Sequence, residues 1–170
     1  MLVSGGHTLL LLASSPTEFK ILATTGDESI GRAYDKVARF LRVPWGDRGL
    51  GAGLEDLCNS VSDVDAAALP KIELAHGPAM QGSLAFSYAG LHSAVERYIA
   101  RRGGTITEEE RLALARAFQT AAVAQLEEKL ALGLKWCKKK GIIVKHVVAS
   151  GGVASNLFLR ERCVRSPLVW

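Results

Sequence analysis

LVSGGHTLLLL, residues 2–12, is an apolar, β-like run with two consecutive glycines near its start. Glycine gives a strand no side chain to pack and loses more conformational entropy on folding than any other residue. The glycine pair therefore indicates a point where another group approaches the main chain. Turn-forming residues at 14–17 also predict a hairpin, with one strand over Leu2–Ala13 and a second over Phe19–Thr25.

Helical and strand-like patterns both occur after the hairpin. Apolar residues recur at helical spacing after Ser29, for which Asp27 and Ser29 are alternative caps. A capping box of Thr107 and Glu110 opens the longest helical pattern, where Gly133 is a possible break. The predicted elements are helices over 30–41, 54–60, 91–102, 107–140 and 153–163, strands over 83–90 and 142–150, a glycine-rich loop over 44–53 and an irregular connection over 61–80.

Composition limits the classes of protein to which this chain can belong. At 170 residues, with 48% hydrophobic and 22% charged residues, it has the balance of one globular domain or of a piece of a larger protein. The net charge of +4 and the pI near 9.1 are compatible with an anionic partner such as RNA, although Lys and Arg are spread along the chain. Three cysteines without a C-x-x-C pair favour neither a zinc knuckle nor a disulfide framework, and no apolar run is long enough to span a bilayer.

The tripeptide Ser-Gly-Gly occurs twice, at residues 4–6 near the start of one strand-like run and at residues 150–152 at the end of another. A glycine pair lacks two β-carbons, so a phosphate or a ribose can come within hydrogen-bonding distance of the backbone N–H groups. The second copy also precedes a predicted helix, whose free N–H donors favour an anion. The two copies predict a nucleotide site, and the alternative for each is a bulge or a close-packing point. Neither copy matches a P-loop or a Rossmann fingerprint.

Two further polar residues have both a structural and a ligand-binding interpretation. Asp35 lies within a predicted helix, as an exposed charge beside Lys36 and Arg39 or as a carboxylate turned towards a ligand hydroxyl. Asn156 is either the N-cap of the last helix or a donor to a bound sugar or acyl group. The four histidines are scattered singly, without H-x-x-x-H or H-E-x-x-H spacing, so no local motif predicts a metal site.

Five segments, in order along nearly the whole chain, resemble motifs of one known family. They are LVSGGHT at 2–8, AYDKVARFL at 33–41, FSYAGLHSAV at 86–95, ARAFQTAAVAQLEEK at 115–129 and VVASGGVASNLFLR at 147–160. These segments resemble the tRNA N6-threonylcarbamoyladenosine synthase family, formerly labelled O-sialoglycoprotein endopeptidases. His7 and the pair Asp35-Lys36 resemble its bacterial and mitochondrial branch.

The resemblance implies an α/β fold of the actin-like, sugar-kinase-like (ASKHA) ATPase type, in which two α/β lobes clasp a nucleotide. It also implies transfer of a threonylcarbamoyl group from threonylcarbamoyl-adenylate to N6 of adenosine 37 in tRNAs that read codons beginning with A. The tRNA is then one partner and a second copy of the chain another, as in the mitochondrial branch, with no membrane involved. The implied location is the mitochondrion, or the cytoplasm if the source is bacterial. The substrate-binding positions implied by the resemblance are Leu2, Val3, Ser4, Gly5, Gly6, Asp35, Gly51 and Asn156.

Departures from the family pattern concern mainly its divalent metal ion. The family holds that ion with an H-x-x-x-H pair before LVSGGHT and an Asp in a D-N-x-A-M motif after the final helix, and this sequence contains neither. We therefore expect an incomplete threonylcarbamoyltransferase domain over residues 1–163, a partial fold without the family's N- and C-terminal parts, and an atypical tail over 164–170. No catalytic residue and no metal ligand is assigned. Arg32 also stands where the family commonly has an acid.

Two functional hypotheses follow from these departures. The first is a threonylcarbamoyltransferase or the central part of one. In that case we expect the isolated chain to have little or no transferase activity. The second is a catalytically inactive nucleotide-binding or dimerisation module. A metalloprotease, as the older family label would suggest, has no H-E-x-x-H motif to support it.

Overall fold

In the computed structural model, which describes residues 1–74 and 81–165, a four-stranded sheet packs against helices, and the predicted α/β class is confirmed. The strands are β1 (Leu2–Val3), β2 (Thr8–Ala13), β3 (Phe19–Thr25) and β4 (Ala85–Phe86). The helices are α1 (Ile30–Phe40), α2 (Leu50–Asn59), α3 (Asp63–Ala66), α4 (Ala89–Arg101), α5 (Glu108–Lys139) and α6 (Leu157–Arg165), with a 3₁₀ helix at Gly152–Ser155. The sheet order is β1-β2-β3-β4; β1, β2 and β3 pair antiparallel, and β4 joins β3 in parallel.

The first glycine pair lies in a tight turn between two strands. The predicted continuous strand over Leu2–Ala13 is wrong, because β1 folds back antiparallel onto β2. The hydroxyl oxygen of Ser4 accepts hydrogen bonds from the His7 N–H at 3.0 Å and the Gly6 N–H at 3.2 Å. The Ser4 side chain therefore holds the turn that reverses the chain between β1 and β2. The predicted hairpin of β2 and β3 is confirmed, with an irregularity in register between Leu10 and Leu11.

The segment before the second glycine pair runs beside β1 without forming a strand. The predicted strand over 142–150 is wrong, since Ser150 alone joins the sheet, through a parallel bridge to Leu2. The Val3 N–H donates to the Ser150 carbonyl at 2.8 Å, and the Ser150 N–H donates to the Met1 carbonyl at 2.9 Å. Because β1 is two residues long, it provides partners only for the end of this segment.

Several helix boundaries differ from the prediction for packing reasons. The long helix α5 continues through Gly133, where an added β-carbon would lie 2.5 Å from the Leu10 side chain, so this glycine admits the sheet rather than breaking the helix. Helix α2 begins at Leu50 rather than at residue 54, because Leu50 and Leu54 are both buried and Gly49, at φ +82°, makes the turn before them. The predicted strand over 83–90 shortens to β4, and α4 begins directly after it.

The core lies between α1, α2, α4, α5 and one face of the sheet. The apolar positions of the predicted first helix are all buried, which confirms its inward face: Ile30, Ala33, Tyr34, Val37, Ala38 and Leu41. The Tyr34 ring and the Phe118 ring on α5 form a T-shaped pair, with centroids 5.1 Å apart. This packing fixes α1 across α5, so the polar residues of α1 keep one orientation.

Asp27 and Ser29, the two predicted alternatives for the cap of α1, stabilise the beginnings of two different helices. Ser29 caps α1, and Asp27 instead receives hydrogen bonds from the N–H groups of Tyr88 and Ala89 and from the Ser87 hydroxyl at the start of α4. Burial alone would raise the pKa of the Asp27 carboxyl, but the hydrogen bonds, led by that from Ser87, together lower it below its ordinary value. Asp27 therefore ties the end of β3 to the beginning of α4.

Two predictions extend outside the described residues. The irregular connection over 61–80 contains the short helix α3, and its residues 75–80 lie outside the described part. The predicted domain boundary at residue 163 falls within α6, and residues 166–170 also lie outside the described part. That boundary stays a prediction.

Candidate functional site

A cleft of about 720 Å³ opens where the two Ser-Gly-Gly corners meet α1 and α2. Four of the predicted site residues line it: Gly5, Asp35, Gly51 and Asn156. They come from four separate parts of the fold, namely the β1–β2 turn, α1, α2 and the junction of the 3₁₀ helix with α6. The cleft is therefore a product of tertiary packing.

Within the second corner, the two glycines have different roles. Gly151 has φ +108°, and a β-carbon added there would lie 2.4 Å from the Val3 carbonyl oxygen, so this residue is a close-packing point. Gly152 has no atom within 4 Å of an added β-carbon, and it lines the cleft. One glycine thus brings the corner against β1, and the other leaves its main chain open.

The first corner is held by the beginning of α1. The Ser29 hydroxyl donates to the Gly5 carbonyl at 2.6 Å, and the Gly31 N–H donates to the Ser4 carbonyl at 3.3 Å. A β-carbon on Gly31 would lie 2.7 Å from the Gly5 α-carbon, so α1 can approach this closely only because residue 31 is glycine. Gly5 itself has open space where its β-carbon would be.

Asp35 places a carboxylate in the cleft opposite the start of α2. Its side chain is half-buried, and a β-carbon on Gly51 would lie 3.6 Å from its Oδ1 atom. Lys36 forms an ion pair with Glu28 at 2.6 Å on another side of α1. The Asp35 carboxylate therefore lies at the cleft, and its contact with a ligand hydroxyl stays a prediction.

Asn156 is a buried cap that also lines the cleft. Its Oδ1 atom accepts a hydrogen bond from the Leu159 N–H at 2.9 Å, which confirms the capping interpretation. Its Nδ2 atom donates to the side-chain oxygen of Gln119 on α5 at 3.3 Å. The residue therefore fixes the first turn of α6 against α5, next to the open main chain of Gly152.

The remaining predicted positions are Leu2, Val3, Ser4 and Gly6, and they are not among the described residues that line the cleft. Val3 is fully buried in β1, and the Ser4 side chain holds the turn. Val3 and Ser4 therefore stabilise the first corner and do not line the cleft. A direct contact between these residues and a ligand stays a prediction.

Three charged residues of the cleft were missed by the sequence analysis: Arg48, Glu55 and Asp56. Glu55 is buried on α2, and its Oε1 atom accepts a hydrogen bond from the Leu157 N–H at 2.6 Å. The signal that could have found it is its spacing of four residues from Gly51, which places both on one helix face. Arg48 donates through Nη2 to both carboxylate oxygens of Asp56 at 2.6 Å.

Neither the Tyr34 hydroxyl, which lines the cleft, nor the Cys58 thiol on α2 is an activated nucleophile. Burial, together with the nearby Cys58 and Glu55, raises the pKa of the Tyr34 hydroxyl, and burial raises the pKa of the Cys58 thiol to about 12. Both groups therefore stay protonated at neutral pH. Carboxylates, an arginine and open glycine main chain suit a polar ligand with hydroxyl and phosphate groups.

The described residues do not fit the metal ion that the resemblance implies. Among residues 1–74 and 81–165, no group of three His, Cys, Asp or Glu side chains is arranged to hold a metal. We therefore assign no chemical step to a metal ion in this chain.

Comparison with known proteins identifies the family of this fold and cleft. The family model described as tRNA N6-adenosine threonylcarbamoyltransferase matches residues 1–167. A protein of that name from Symbiobacterium thermophilum is 38% identical over 161 residues, which are 95% of this chain and 42% of the relative. A probable mitochondrial form from Arabidopsis thaliana is 34% identical over 95% of this chain and 34% of its own length. A mitochondrial form from Schizosaccharomyces pombe is 33% identical over 95% of this chain and 38% of its own length.

These matches confirm the resemblance and the actin-like α/β class predicted from the five motifs. The chain spans less than half the length of the curated relatives it matches, and those relatives include bacterial and mitochondrial proteins at similar identity. With matches across almost all of its residues, this chain belongs to the tRNA N6-adenosine threonylcarbamoyltransferase family.

Proposed function

We propose that this chain supplies the adenylate-binding cleft of a tRNA N6-adenosine threonylcarbamoyltransferase. The observation that carries the proposal is the meeting of Gly5 and Gly152, both with open main chain, beside the Asp35 carboxylate. A volume of about 720 Å³ lies in the range of about 300–1,000 Å³ that is typical of small-molecule sites. The family name gives the reaction, and the cleft gives its nucleotide a place to bind.

Each part of the proposed ligand matches a part of the cleft. Ribose hydroxyls can donate hydrogen bonds to the Asp35 carboxylate, and the phosphate can approach the backbone at Gly5 and Gly152 because neither residue has a β-carbon. Glu55 and Asn156 hold the beginning of α6 and so keep Gly152 in position. The cleft would thus bind the adenylate in a fixed orientation.

The proposed reaction in the longer protein is a transfer that depends on positioning. The N6 amine of a tRNA adenosine attacks the carbamoyl carbon of threonylcarbamoyl-adenylate, the new C–N bond forms, and the C–O bond to phosphate breaks. AMP leaves, and the amine loses one proton. The residues described above would bind and orient the adenylate, which lowers the entropic part of the barrier.

The proposed RNA partner fits the charge of one end of the molecule. Lys138, Lys139 and Lys140 are exposed at the end of α5, with Lys135 and Lys145 close in sequence, and no Asp or Glu occurs between Glu128 and Glu161. Such a surface can contact RNA phosphates without reading bases.

Self-association and a mitochondrial location stay proposals from the resemblance. None of the helices in the described ranges has both the length and the apolar character to cross a membrane.

For this chain by itself, we expect nucleotide binding with little or no turnover, as the transferase hypothesis predicts for a part of the longer protein. The support is the missing metal-holding group within the described residues and the partial coverage of the relatives. The measurement is the formation of threonylcarbamoyladenosine from tRNA and threonylcarbamoyl-adenylate by the purified 170-residue chain. Product above the level of a protein-free reaction would contradict this expectation.

Binding of AMP, measured by calorimetric titration, tests the proposed cleft directly. Gly5→Val adds a branched side chain at the cleft, and its β-carbon would have no other atom within 4 Å. We expect this variant to bind AMP at least about tenfold more weakly, a loss of about 1.4 kcal/mol. Gly90→Val is the matched control, since Gly90 has similar open space on the exposed surface of α4. Unchanged AMP affinity in a folded Gly5→Val variant would show that the adenylate does not bind in this cleft.

A further inference from the structure

The charge of the cleft is unfavourable for the phosphate of the proposed ligand, apart from one side chain. Asp35, Glu55 and Asp56 contribute carboxylates, and Arg48 is the cation among the described residues that line the cleft. A phosphate that enters this cleft is repelled by three negative groups. Arg48 is therefore the side chain placed to attract it.

Arg48 is held at the mouth of the cleft by a partner that it can release. Both of its hydrogen bonds to Asp56 come from Nη2, whereas a guanidinium has five N–H donors arranged as a fork. The two side chains are 66% and 60% exposed, and ion pairs with such exposure contribute little to stability. Exchange of this carboxylate for a ligand anion therefore costs little.

The local backbone allows the arginine to turn towards a ligand. Arg48 lies in a turn closed by a hydrogen bond from the Gly49 N–H to the Gly46 carbonyl at 2.9 Å. Both glycines have open space around their missing side chains, and Gly49 adopts φ +82°. Neither residue hinders movement of the Arg48 side chain, and Asp56 follows on the first turns of α2.

We propose that Arg48 recognises the phosphate of the bound adenylate by exchanging the Asp56 carboxylate for phosphate oxygens. Arginine can bind phosphate through two parallel N–H···O bonds from two different nitrogens. In the pair with Asp56, both hydrogen bonds come from the single nitrogen Nη2, so the second nitrogen is not used. The exchange makes the cleft selective for a nucleotide over a nucleoside. The proposal rests on the proposed function, because it requires the adenylate to bind in this cleft.

The test compares AMP with adenosine, which lacks the phosphate, on the intact chain and on two variants. We expect Arg48→Gln to weaken AMP binding about tenfold or more, and to leave adenosine binding within about twofold. Asp56→Asn removes both the competing partner and one repelling charge, so AMP affinity should rise several-fold while adenosine affinity stays constant. Arg97→Gln, on the exposed surface of α4, is the matched control and should change neither affinity.

The outcomes separate this inference from the proposed function. If the intact chain binds both ligands but Arg48→Gln weakens them equally or not at all, the role of Arg48 is overturned and the cleft stands. A fall in AMP affinity in Asp56→Asn would overturn the exchange. If neither AMP nor adenosine binds the intact chain, the proposed function itself fails.

Discussion

Replacing Gly151 with alanine is expected to lower the free energy of unfolding by about 3–5 kcal/mol, because strain and overpacking act together there. The residue has φ +108°, a conformation that side chains with a β-carbon rarely adopt. The new β-carbon would lie 2.4 Å from the Val3 carbonyl oxygen, which belongs to the backbone and cannot rotate away. Urea unfolding followed by circular dichroism gives the measurement.

The neighbouring residue provides the control for this prediction. Gly152→Ala adds a β-carbon with no atom within 4 Å, at a backbone conformation outside the left-handed range. Its free energy of unfolding should stay within about 0.5 kcal/mol of the unmodified chain, as for most exposed substitutions. Equal effects of the two substitutions would contradict the close contact between this corner and β1.

Replacing Asn156 with alanine is expected to cost about 2–4 kcal/mol of the free energy of unfolding, from a lost cap and a lost buried partner. The cap is the hydrogen bond from the Leu159 N–H, and the buried partner is the Gln119 side chain, which is 3% exposed. Thermal and urea unfolding measure the change. AMP affinity should fall as well, because α6 begins beside Gly152.

Asn59 offers a matched control for this second prediction. It also lines the cleft, but it is exposed on α2, so Asn59→Ala should change the free energy of unfolding by less than about 0.5 kcal/mol. A double-mutant cycle of Asn156→Ala, Gln119→Leu and the two combined then isolates the coupling between the two buried side chains. An Asn156→Ala variant as stable as Asn59→Ala would show that the cap and the Gln119 contact contribute nothing measurable.

The parts of the fold that could be predicted are those determined by residues close to each other in the sequence. The inward face of α1 follows from helical spacing, and the Thr107 and Glu110 capping box of α5 was predicted and is confirmed. The turn at Ser4–His7 was missed, because a two-residue strand carries no periodicity and its pairing is decided by distant residues. Gly133 was equally ambiguous, since its role depends on Leu10 in another element.

The same distinction applies to the cleft. Gly5, Asp35, Gly51 and Asn156 were predicted from motifs, and the fold brings them together. Glu55 was missed because a helix beginning at residue 54 would leave Gly51 in a loop. With α2 beginning four residues earlier, Gly51 and Glu55 share one helix face, and the burial of Leu50 is what moves that beginning.

The bridge between Leu2 and Ser150 also constrains when the cleft can form during synthesis. A nascent chain on the ribosome carries the first corner before the second, which emerges only after α5 has been translated. Closure is thus a late, long-range event, which the loss of chain entropy makes slow. A nucleotide bound as proposed would contact both corners only after that closure, so it would stabilise the finished fold and not the early intermediates.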